Sequence, residues 1–129
     1  MKLRIRQNTI RLRLKRSEVD QIASGKSIVE ETHFPDSVLT YQLAVSDDGK
    51  FSTSFNDGKL AIRVPVAELT EWAKTEQVSM VAEQALGDAG TLSLLIEKDF
   101  SCLAPGHHRP DEDDVDTYAH PEAESGRGC

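Results

Sequence analysis

At 129 residues, with 38% hydrophobic and 29% charged content, the chain can build one core but not two independent domains. Basic side chains number 15 against 22 acidic ones, a net charge of −7, which speaks against the broad positive field that non-specific nucleic-acid binding requires. No apolar run reaches the roughly 18 residues of a membrane-spanning helix. The opening Met1-Lys2-Leu3-Arg4-Ile5-Arg6 lacks the apolar centre of a secretion signal, so a cytoplasmic location is expected. Two cysteines far apart in sequence do not make a disulfide scaffold. The charge is uneven: residues 1–16 carry seven basic side chains and no acid, whereas residues 107–129 carry seven acids against two arginines.

Lys2 to Arg6 alternates apolar Leu3 and Ile5 with basic residues, the period of a half-buried strand. Gln7-Asn8 makes a turn, and Ile10, Leu12 and Leu14 alternate with Arg11 and Arg13 in the returning strand. Ser17, with Asp20 three positions on, is expected to cap a short helix in which Val19, Ile22 and Ala23 recur at helical spacing and which ends at Gly25. Residues 27–34 and 38–45 are predicted strands about Pro35-Asp36-Ser37. Asp47-Asp48-Gly49-Lys50 then turns the chain into a second series. A strand over 51–55 leads through Asn56-Asp57-Gly58-Lys59, the strongest hairpin signal present, to Leu60, Ile62 and Val64. Pro65 breaks the ladder and presets a helix carrying Leu69, Trp72 and Ala73, with Trp72 as core filling. Strands over 77–85 and 91–100 close the series around Gly87-Asp88-Ala89-Gly90.

Displaced by about 50 positions, the two series coincide: Ile10 to Leu14 falls on Leu60 to Val64, and Glu18, Val19, Ile22 and Ala23 fall on Glu68, Leu69, Trp72 and Ala73. The expected fold is therefore α+β, with two pseudo-symmetric ββαββ repeats over 1–46 and 50–100. Their antiparallel sheets are expected to curl towards a barrel covered by two helices. A domain over 1–104 would be followed by an acidic, His- and Cys-containing tail over 105–129.

Two groups of residues carry chemistry. Arg4, Arg6, Arg11 and Arg13 project to one face of the first hairpin, where guanidinium groups grip carboxylate or phosphate in bidentate fashion. The plainer reading pairs them with Glu30, Glu31, Glu97 or Asp99. Residues 1–16 hold no aromatic side chain, which argues against single-stranded nucleic acid. The second group is Cys102, His107, His108, His120 and Cys129, thiolate and imidazole ligands suited to zinc or another borderline metal. Their spacing matches no standard zinc pattern, and the plainer reading is a solvated tail. A Cys102–Cys129 disulfide is a further alternative, which a reducing cytosol disfavours. There is no Gly-x-Ser-x-Gly, phosphate-cradling glycine loop or His-Glu-x-x-His, and Glu30 and Glu31 face opposite ways, so no catalytic constellation is expected.

The run Met-Lys-Leu-Arg-Ile-Arg-x-Asn-Thr-Ile-Arg-Leu-Arg-Leu at the start resembles that of an uncharacterised family of small bacterial proteins, a domain of unknown function. So do Glu97-Lys98-Asp99-Phe100-x-Cys102-Leu103 and the closing Glu112-x-x-x-Asp116-x-Tyr118-x-x-Pro121 with Cys129. The resemblance implies no activity, but it implies that the tail and both cysteines belong to the protein. The expected function is a non-enzymatic binding or interaction module for a protein or small ligand. The alternatives are a metal- or thiol-dependent site at Cys102 and the tail, and anion or nucleic-acid binding by the arginine hairpin. An unclosed edge strand would permit a homodimer.

Overall fold

A computed structural model describes residues 1–100, of which Met1–Asp99 form one compact unit. Its elements are β1 (Lys2–Arg6), β2 (Thr9–Leu14), α1 (Arg16–Ala23), β3 (Ile28–His33), β4 (Val38–Ser46), β5 (Ser52–Asn56), β6 (Lys59–Pro65), α2 (Val66–Lys74), β7 (Ser79–Ala85) and β8 (Thr91–Lys98), with a short 3₁₀ turn at Gly87–Ala89. The order strand, strand, helix, strand, strand thus occurs on both sides of the 47–50 turn.

The strands make two four-stranded sheets, ordered β1-β2-β8-β7 and β3-β4-β6-β5. This corrects the expected barrel. In a barrel the outermost strands bond to each other, whereas here β1, β7, β3 and β5 remain the ends of separate sheets. The sheets are also mixed rather than antiparallel. Each hairpin is antiparallel inside, but β2 runs parallel to β8 and β4 parallel to β6. Parallel neighbours need a crossover: β2 reaches β8 through all the elements between them, whereas β4 reaches β6 through β5 alone, and each sheet takes one hairpin from the first series and one from the second.

Alternation decides which face of each strand is buried. Ile10, Leu12 and Leu14 of β2 point inward with Leu94 and Ile96 of β8, and Leu60, Ile62 and Val64 of β6 point inward with Leu43 of β4. Helix α1 adds Val19 and Ile22 to this core, and α2 adds Leu69 and Trp72. Trp72 is fully buried, as its position in the helical stripe predicts. Its indole N–H donates to the Val78 carbonyl at 2.9 Å, so the ring's one polar group is satisfied.

Local signals place the turns. Asp57 and Gly58 both take positive φ, at 50° and 75°, which the tight two-residue hairpin between β5 and β6 demands. The cap of α1 differs from expectation. Lys15 is the N-cap residue and its backbone N–H donates to Glu18 Oε1 at 2.8 Å, so Glu18 takes the part expected of Asp20, and Ser17 lies inside the helix. Pro65 does not break the ladder as expected: it is the last residue of β6, in register with Ser46, and the N-cap of α2.

Candidate functional site

The outer face of the first sheet is built in rows across its strands. Lys2, Arg13, Glu97 and Ser79 form one row, and Arg4, Arg11, Leu95 and Val81 the next. A third runs through Arg6, Thr9, Ser93 and Glu83. Because side chains alternate along each strand, the buried Ile10-Leu12-Leu14 face forces Arg11 and Arg13 outward, and antiparallel pairing sets Lys2 and Arg4 directly opposite them. The four arginines predicted to share a face do share it. Like charges facing across a ladder oppose sheet formation, and this hairpin carries two such pairs in succession, Lys2 with Arg13 and Arg4 with Arg11.

Glu97 answers part of that charge. Its Oε1 accepts from Arg11 Nε at 3.1 Å, Arg13 Nε at 3.0 Å and Arg13 Nη2 at 2.9 Å, so two guanidinium groups converge on one oxygen. The carboxylate is only 14% exposed, against 22% for Arg11 and 41% for Arg13, so these bonds are partly shielded from water. Lys2 Nζ stands 3.6 Å from Asp99. Of the four acids named from sequence as partners, Glu97 and Asp99 are found against these cations. Glu30 is engaged elsewhere, and Glu31 stands 3.7 Å from the exposed His33. Lys2, Leu3, Arg4, Arg11, Arg13 and Glu97 surround an open depression of ≈370 Å³. Lys2 belongs to this site although the sequence reading singled out arginines alone. Its place in the same period-two row was the available signal.

A second polar cluster lies on the inner side of the molecule. The Met1 ammonium donates to Glu18 Oε2 and, at 3.0 Å, to Glu30 Oε1, while the Tyr41 hydroxyl donates to Glu30 Oε2 at 2.8 Å. Burial pulls the ammonium's pKa down, but bonds and charge from Glu18 and Glu30 outweigh it, and the net shift is upward. Burial pushes Glu18 up, yet the Met1 ammonium and the Lys15 N–H hold its carboxyl below the usual range. Tyr41 is pushed up to about 12 by burial and by the Glu30 carboxylate that accepts its hydrogen bond. Sequence reading missed this cluster. The available signal was an acid, Glu30, and a tyrosine, Tyr41, both on the inward phase of strands and opposite one another in register.

Among the described residues no group of three or more His, Cys, Asp or Glu side chains could hold a metal ion. The candidate ligands Cys102, His107, His108, His120 and Cys129 all lie outside the described residues. No helix among the described residues is long and apolar enough to cross a membrane.

An α+β domain of two mixed four-stranded sheets with a cationic outer face is the class defined so far. The chain belongs to DUF7009, a family of unknown function that it matches over residues 1–122. No curated protein and no solved structure matches it.

Proposed function

We propose that this protein is a non-enzymatic binding module that recognises anionic groups, carboxylate or phosphate, on the outer face of β1, β2 and β8. The observation that carries the reading is the convergence of Arg11 and Arg13 on the single Glu97 oxygen beside two like-charged cross-strand pairs. A face that gathers cations in adjacent like-charged pairs is suited to a ligand that carries negative charge. Glu97 then acts as a resident stand-in, keeping both guanidinium planes ordered until a stronger anion takes over one of them. We further infer that the fold arose by duplication of a ββαββ unit. Exchanging the two series turns the strand order β1-β2-β8-β7 into β5-β6-β4-β3, the second sheet read backwards, which supports that origin.

Titration of the protein with inorganic polyphosphate, followed by calorimetry at several salt concentrations, tests the binding reading. Binding should weaken steeply with salt. Arg11→Ala combined with Arg13→Ala should lower affinity about tenfold or more, and Glu97→Gln should raise it. Binding indifferent to salt and to all three substitutions would refute the proposal.

A further inference from the structure

Resting on the anion-binding reading above, we infer that β1 is a docking edge for an extended acidic segment of a partner protein, which joins the first sheet as a fifth strand. β1 ends its sheet, so one side of its backbone meets no strand among the described residues. Its two-residue loop makes Arg6 and Thr9 a hydrogen-bonded pair, and by alternation Arg4 with Arg11 and Lys2 with Arg13. The N–H and C=O groups of Leu3 and Ile5 therefore point away from β2, available to an incoming strand.

The side chains define what that strand must carry. On the outer face all three residues of β1 are cationic: Lys2, Arg4 and Arg6. The other edges differ. β5 presents Ser52, Ser54 and Asn56, β3 presents Val29, Glu31 and His33, and β7 presents Ser79, Val81 and Glu83 in the three rows of its own sheet. One charged residue suffices to guard an edge against aggregation. Three in succession, two residues apart, match a ladder of carboxylates at the same spacing on a neighbouring strand. On the inner face Ile5 is 59% exposed although it points to the core side, and Leu3 is half-buried beside it. An apolar side chain from the added strand would cover Ile5. The complementary segment thus alternates acidic and apolar residues, and main-chain bonds to Leu3 and Ile5 fix its register. Nucleic acid fits less well, because residues 1–16 offer no aromatic side chain for base stacking and Glu97 and Asp99 sit within the face.

The test uses isotope-labelled full-length protein and a peptide alternating Glu and Val, long enough to span β1. Amide exchange at Leu3 and Ile5 should slow about tenfold or more on binding. The effect should vanish when the peptide is N-methylated at the residues whose N–H groups face β1, although its charge is unchanged. Arg4→Ala combined with Arg6→Ala should weaken binding about tenfold. If the peptide shifts arginine side-chain signals but leaves Leu3 and Ile5 exchange unaltered, strand addition is wrong and the anion-binding face stands. Tighter binding of an oligothymidylate than of the peptide would overturn the inference in favour of nucleic acid. No response of the arginines to peptide or polyphosphate would remove both readings.

Discussion

Tyr41 couples three parts of the chain: its own strand, the Glu30 carboxylate opposite, and through Glu30 the Met1 ammonium. Glu18 and the Met1 ammonium each tie stability to pH with a definite sign. Glu18 is depressed on folding, so its contribution is complete above its ordinary value of 4.5 and fades as pH falls through the lower folded value. The Met1 ammonium is raised, so its contribution is complete below 8.0 and is lost as pH rises through the higher folded value. Denaturation by urea across a pH series should therefore find Glu18→Gln most damaging between those limits, with the difference from the parent shrinking as the solution is acidified. Tyrosinate formation followed by near-ultraviolet absorbance should show one of the two tyrosines titrating near 12 in the folded protein and near 10.0 in urea. Gly58 is constrained differently. With φ at +75° and the Val38 carbonyl oxygen 2.9 Å from where a Cβ would stand, Gly58→Ala combines a left-handed backbone with a clash. It should cost roughly 1–2 kcal/mol or more, seen as a lower urea midpoint at unchanged slope.

Every strand that lines the core was legible, because burying one face of a ladder imposes period two on the chain. Ile10-Leu12-Leu14 and Leu60-Ile62-Val64 read plainly for that reason. The helices were legible from Val19 with Ile22 and Leu69 with Trp72, which recur at helical spacing. Truncating such a residue should be severe: Ile96→Ala, fully buried in β8, should lose about 2–5 kcal/mol in denaturant unfolding. What local pattern cannot encode is the choice of neighbour. Nothing in Arg13 or its surroundings announces a partner at Glu97, 84 positions away, or that β2 and β8 run parallel. The expectation of antiparallel sheets curling towards a barrel failed on that point, because parallel contacts β2–β8 and β4–β6 join the hairpins into two open sheets. The arginine face was legible because it follows from alternation alone. Its resident carboxylate was only one of four acids in view, and the contact across sheet neighbours decided between them. The Met1, Glu18, Glu30 and Tyr41 cluster stayed hidden because polar residues on an inward phase look like interruptions of a pattern until their register is known.

Each sheet needs a hairpin from before the 47–50 turn and one from after it, so neither series can complete a sheet by itself. Severing the chain within Asp47–Lys50 should leave two pieces that remain associated and folded together, while either piece alone is unstructured by circular dichroism. The same arrangement bears on synthesis. β2 leaves the ribosome with its inner edge open, and its parallel partner β8 follows only after some 84 further residues. At a translation rate of roughly 5–20 residues per second, that edge waits on the order of several seconds. Through this interval the nascent polypeptide carries Ile10, Leu12 and Leu14 without their cover from β8, and the basic side chains of its first hairpin repel one another across strands. Until β8 arrives with Glu97, those charges also keep two emerging copies of the hairpin from sticking to each other.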